Sequence, residues 1–189
     1  GIGVVLYVYL DRILISELLG MSYVGIYAVG AQLSTGMRLL IIGFQLSLTP
    51  LVYKHYKEPE TPHRLATLFQ YFVVIALVSI VGVSLFAQEI VQIISTPDFY
   101  DAWTVIPFLI SSTLLGNMYI FTPGLFLRNQ TRKVAVISII GGVVNFFLNL
   151  LLIPILNLQG AALATMLSSV LIFGLYLYYN QQLYSIPFQ

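Results

Sequence analysis

The chain has 189 residues, of which 59% are hydrophobic and 8% are charged, against roughly 25% charged residues in an ordinary globular domain. That is too little charge to coat a soluble surface of this size, so the composition points to an integral membrane protein. A formal net charge of +1 with no long basic face argues against a nucleic-acid partner. The absence of Cys excludes disulfides, thiolate metal sites and Cys nucleophiles. The first residue is Gly1 rather than Met, inside an apolar run without a charged leader or cleavage site, and the chain therefore reads as a fragment.

A bilayer core about 30 Å thick needs about 20 apolar residues at 1.5 Å each. On that measure the sequence predicts six helices, spanning residues 1–19, 24–53, 65–87, 103–127, 134–153 and 160–179. The first carries Asp11, Arg12 and Glu17 and is the weakest on hydropathy alone. Asp11 and Arg12 are adjacent, point about 100° apart and so must meet different neighbours. Arg12 is a candidate to bind an anionic group. Asp11 is a candidate to bind a proton or cation, or else to neutralise Arg12 or Arg38.

The second helix is interrupted only by Arg38, a charge that costs roughly 2.5–3.5 kcal/mol near mid-membrane. Tyr27, Ser34, Arg38, Gln45 and Thr49 fall within about 40° of one another on an uninterrupted helix. Such a stripe reads as the wall of a hydrated cavity, the alternative being a structural ion pair between Arg38 and a neighbouring helix. After the third helix, Glu89–Ile94 suits a short interfacial helix, the alternative being a helix end and a turn at Pro97-Asp98. Phe99, Tyr100 and Trp103 suit an aromatic belt. In the fourth helix, Thr113, Asn117 and Gly124 share a face, and Pro123-Gly124 predicts a kink. In the fifth, Ser138, Gly142, Asn145 and Asn149 share one. Both polar faces are read as interhelical packing or as cavity wall.

The connections alternate in charge. Lys54, Lys57 and Arg64 flank one and Arg128, Arg132 and Lys133 another, whereas the three connections at the opposite end carry neither Lys nor Arg. The positive-inside rule then puts both ends of the chain in the cytoplasm, which requires an even number of crossings. No catalytic constellation, phosphate loop or metal cluster is visible, and the sequence reads as no enzyme; His55 and His63 belong to a solvated basic loop.

Asp11-Arg12-Ile13-Leu14-Ile15-Ser16-Glu17-Leu18-Leu19-Gly20, followed by Val24-Gly25-Ile26-Tyr27, resembles the start of the C-terminal half of a polysaccharide flippase. So do Asn145, Asn149–Pro154 and Gly160–Thr165, and Asp98–Trp103 is similar to the segment before the family's tenth helix. The family comprises the O-antigen, exopolysaccharide and lipid-linked oligosaccharide flippases of the multidrug/oligosaccharidyl-lipid/polysaccharide exporter superfamily. The resemblance implies an all-α transporter of two six-helix lobes, sometimes with two further helices, of which this chain supplies one lobe and lacks the N-terminal one. It further implies transfer of undecaprenyl-diphosphate-linked oligosaccharides across the bacterial cytoplasmic membrane by alternating access. A proton or sodium gradient replaces any cofactor, and polysaccharide polymerase or assembly proteins are implied as partners. Arg12 and Arg38 would meet diphosphate or acidic sugars in the cavity, with Ser34, Gln45, Thr49, Asn117, Asn145 and Asn149 as further lining. Alternatives are a drug/cation antiporter or a lipid-linked peptidoglycan precursor flippase of the same superfamily. A membrane polymerase or glycosyltransferase is the non-transporter alternative.

Overall fold

A computed structural model describes residues 2–56 and 58–187, except the side chains of residues 2–8, 49, 51 and 53. Its order is α1 (Ile2–Leu18), α2 (Met21–Gly36), α3 (Arg38–His55), α4 (Thr61–Leu85), α5 (Ala87–Ile94), a 3-10 segment (Pro97–Thr104), α6 (Ile106–Asn117), a 3-10 turn (Met118–Phe121), α7 (Gly124–Leu127) and α8 (Thr131–Leu183). No strand occurs among the described residues. An all-helical chain is what hydrocarbon demands, because a helix satisfies its own backbone hydrogen bonds.

Among the described residues, three stretches are long and apolar enough to cross a membrane, namely Met21–Leu48, Thr61–Leu85 and Thr131–Leu183. A fourth is added if Pro97–Thr104 and Ile106–Phe121, bent by 56°, form one broken span. The 17 residues of α1 reach about 25 Å, short of a full hydrocarbon core. On α4 a continuous apolar face containing Tyr71, Val74, Leu77, Val78, Val81 and Leu85 is exposed. Water would make that face an aggregation surface; lipid tails solvate it.

The chain runs back and forth between two ends. Gly20, at φ 106°, a conformation open chiefly to glycine, turns α1 into α2. Within α8, Asn157 has φ 53° and ψ −131°, and the helix doubles back there. Lys133 lies over the Tyr179 ring at 5.4 Å, Gly141 abuts Ile172, and Gly160 abuts the backbone of Leu152. Each pair straddles Asn157 at nearly equal separations, so α8 is two antiparallel arms. Asn tolerates positive φ better than most side chains, which is why the reversal falls within the interval 154–159 left between the two predicted helices. Pro154 itself remains helical. At the opposite end the Tyr184 hydroxyl donates to the Tyr56 carbonyl at 3.3 Å, joining the end of α8 to that of α3.

Two predicted helices are broken. The second divides at Met37, whose N–H bonds the carbonyl of Ser34 at 3.1 Å instead of continuing the α pattern. The fourth breaks more severely than a kink. After α6 and the 3-10 turn, Thr122 leaves helical geometry at φ −120° and ψ 62°, one residue before the expected kink. Proline disfavours α geometry in the preceding residue, and Pro123 has no N–H to donate. Around this break Phe121 packs on Phe69 and Phe72 at ring separations of 5.3 and 5.1 Å, and Phe44 meets Phe72 edge-on at 5.0 Å.

Asn180 repairs the break. Its Oδ1 accepts the N–H of Gly124 at 2.7 Å, and its Nδ2 donates to the Tyr184 carbonyl at 3.0 Å. Replacing fully buried Asn180 by Leu leaves that donor and acceptor unmatched, at about 1–3 kcal/mol each. We expect a lower thermal midpoint for Asn180→Leu in detergent, with faster amide exchange confined to residues 122–128 and 180–184. The short α5 forms as a separate helix, burying Ala87 and Val91 and exposing Ile93 and Ile94. The expected turn at Pro97 begins the 3-10 segment.

Candidate functional site: a buried carboxylate between two hairpins

The α1/α2 turn and the α8 turn lie at the same end of the bundle. Counting inward, Asp11 is nine residues from Gly20 and Tyr27 seven, while Asn149 and Thr165 are each eight from Asn157. At 1.5 Å per residue all four sit about 10–14 Å inside the bundle. They meet there. Asp11 Oδ1 accepts from Asn149 Nδ2 at 2.8 Å, and Oδ2 accepts from Thr165 Oγ1 at 2.8 Å and from the Tyr27 hydroxyl at 3.1 Å. Asn145 lies one turn from Asn149, and its Oδ1 and carbonyl both approach Asn149 Nδ2, at 3.1 and 3.0 Å.

The carboxylate is only 8% exposed, and every group bonded to it is neutral. Burying an ion without an opposite charge is costly. The hydrogen bonds of the cluster are also unevenly shared. Two protons on Asn149 Nδ2 face three acceptors, and the one proton of Thr165 faces both Asp11 and the Ala161 carbonyl at 3.0 Å. Meanwhile Asn149 Oδ1 and Asn145 Nδ2 are buried with no hydrogen-bond partner within ordinary distance among the described residues. Turning the Asn149 amide over is a matter of assignment at the atomic level, and it would aim another oxygen at Asp11. Three neutral donors thus converge on one carboxylate, and a proton on it, or a cation admitted with the Asn149 oxygen turned inward, would neutralise the buried charge.

The other predicted site residues disperse. Asp11 ion-pairs with neither Arg12 nor Arg38, and no ion pair is formed by either arginine among the described residues. Arg12 instead lies over the Tyr9 ring at 5.5 Å, partly buried. Arg38 begins α3 and is exposed. The stripe drawn along an unbroken second helix does not share one environment. Its upper members Tyr27 and Ser34 are buried, with Ser34 Oγ donating to the Gly30 carbonyl at 2.8 Å. Its lower members Arg38 and Gln45 are exposed. Gln45 lines a notch of about 240 Å³ with Tyr119, Pro123 and Phe126 beside the broken helix. Thr49 lies on α3, its side chain outside the described residues. Asn117 turns back on α6, donating to the Thr113 carbonyl at 2.7 Å, away from Asp11.

Asn145 and Asn149 are thus brought to the carboxylate, and Tyr27, expected only as part of the polar stripe, and Thr165, not expected at a site, join them. Their signal was equal depth below two turns. It becomes usable only once both turns are known to share an end.

Fold and site together define a membrane-associated helical bundle enclosing one carboxylate held by neutral groups. No family model, curated protein or solved structure matches the chain.

Proposed function

We propose that the chain is one six-helix lobe of a flippase that carries undecaprenyl-diphosphate-linked oligosaccharide across the bacterial cytoplasmic membrane, driven by a proton or sodium gradient. The observation that carries the reading is Asp11, buried and clasped by Tyr27, Asn149 and Thr165 where α1, α2 and both arms of α8 meet. A cation bound there would tie the two hairpins together, and its release would loosen them. That is a means of coupling an ion gradient to movement of a lobe. In this reading α1, α2 with α3, α4, the broken α6 to α7, and the two arms of α8 make six crossings. The end bearing Lys54, Arg64, Arg128, Arg132 and Lys133 faces the cytoplasm, and α5 rests at the outer interface.

The substrate assignment follows from the sequence resemblance and from the free guanidinium of Arg38. It is exposed and unpaired among the described residues, and a planar fork of donors suits a diphosphate. Deleting the full gene should make lipid-linked repeats accumulate on the cytoplasmic side. The wild-type gene should clear them, and Arg38→Ala should clear them at least about tenfold more slowly, the loss of one charged hydrogen-bonded contact. Full rescue by Arg38→Ala would remove Arg38 from the mechanism. Absence of accumulation in the deletion would remove the flippase reading itself.

A further inference from the structure

Above the Asp11 cluster, at the end where both hairpins turn, the surface has a notch of about 280 Å³ whose wall includes Tyr23, Asp101, Thr104, Asn157 and Gln159. Three separate parts of the chain contribute: the start of α2, the Pro97–Thr104 segment, and the turn of α8. Close packing holds them. A Cβ on Gly25 would lie 2.9 Å from the Phe99 ring, and one on Gly30 would lie 2.6 Å from Val105, so α2 sits directly against the segment that carries Asp101. Asp101 is exposed, and its carboxylate has no hydrogen bond or ion pair among the described residues. Its backbone carbonyl accepts from Thr104 Oγ1 at 2.7 Å.

We propose that this notch is the outer antechamber of the Asp11 site, where a monovalent metal cation of sodium type waits before moving inward. The inference rests on reading Asp11 as a cation station. Ile26 and Leu158 also line the notch, yet are 7% and 5% exposed and belong to the buried core. Ile26 immediately precedes Tyr27, whose hydroxyl bonds Asp11. One helical turn of α2 therefore separates the Tyr23 wall of the notch from the Tyr27 ligand of the inner site, with two apolar side chains as the floor between them. A carboxylate at the mouth concentrates cations, while an apolar floor denies them passage until the hairpins part. The donor set selects charge and size. Each station has one carboxylate and several neutral oxygens, and no group of three or more His, Cys, Asp or Glu exists among the described residues. That suits a monovalent ion better than calcium, which takes several carboxylates. No Lys or Arg lies in the connections at this end to repel it.

The test is equilibrium and rapid-mixing binding of radioactive sodium to the full-length protein in lipid nanodiscs, with potassium and choline as comparison cations. Asp101→Asn should raise the half-saturating sodium concentration about two- to tenfold at low ionic strength, as expected for the loss of one nearby charge partly screened by solvent. The number of ions bound should stay unchanged. The effect should shrink when choline chloride screens it, and Asp101→Glu should restore it. Leu158→Ala should speed sodium association and release together. Unchanged affinity and association rate in Asp101→Asn overturn the antechamber, as does loss of a bound ion in that variant or an absence of sodium binding by the wild type. Asp11→Asn separates the two readings. If it abolishes binding while Asp101→Asn does nothing, the inner station stands and the antechamber falls. If binding survives Asp11→Asn, the inner station falls with it.

Discussion

Asp11→Asn is expected to leave the protein folded and to abolish its dependence on an ion gradient. Asn is nearly isosteric with Asp, and its carbonyl oxygen keeps one acceptor for Asn149, Thr165 or Tyr27, the three donors now directed at the carboxylate. Removing a buried charge that has no cationic partner also removes a desolvation penalty. The thermal midpoint in detergent should therefore stay level or rise. The cation loses the only formal charge in its ligand set, at a cost on the order of 3 kcal/mol or about a hundredfold in affinity. Gradient-driven transport in proteoliposomes should fall accordingly, while any slow gradient-independent exchange persists. Asp11→Leu makes the contrasting case. It strands three buried donors, at about 1–3 kcal/mol each, and should reduce the yield of folded protein as well as transport. Retained ion dependence in a well-folded Asp11→Asn protein would falsify the role given to this carboxylate.

The largest effect on folding is expected at Gly160. A Cβ there collides with the backbone carbonyl of Leu152 across the α8 hairpin, and backbone cannot swing aside as a side chain can. Gly160→Val must prise the two arms apart just below their turn, costing about 3 kcal/mol. The separation would also spread Asn149 from Thr165 and so weaken both grips on Asp11. Gly174 on the same arm is the natural control, since nothing lies within 4 Å of its would-be Cβ. Gly174→Ala should be neutral or stabilising by up to roughly 1 kcal/mol through helix propensity. Size-exclusion profiles and thermal midpoints of the two variants compare them directly. Equal behaviour would mean that the arms are not packed as described.

Much of this architecture is legible in residue order. Long apolar runs with few charges mark where the chain is helical, because hydrocarbon penalises any backbone group left unsatisfied. Pro97 and Pro123 mark irregular segments, although the break at Thr122 is sharper than a kink. Asp11 stands out as a charge in an apolar run. Its partners do not. The pairing with Arg12 or Arg38 considered from sequence was a guess at the nearest opposite charge, and the stripe through Arg38 assumed a helix that continues past Met37. At Met37 the hydrogen bonds shift to the i,i+3 pattern while the backbone stays helical, and periodicity cannot detect that the surroundings change from core to exposed along the stripe.

Residue order alone marks an apolar, helical, membrane-associated chain with a costly carboxylate midway along its first helix. Those properties depend on composition and on spacing along a single strand of chain. Only the tertiary structure decided that Asn149 and Thr165, each 138 or more residues from Asp11, close on that carboxylate together with Tyr27. Such a meeting depends on two hairpins turning at a common level and packing side by side. Glycines at Gly20 and Gly160 and the positive φ of Asn157 permit this, but no local pattern announces it.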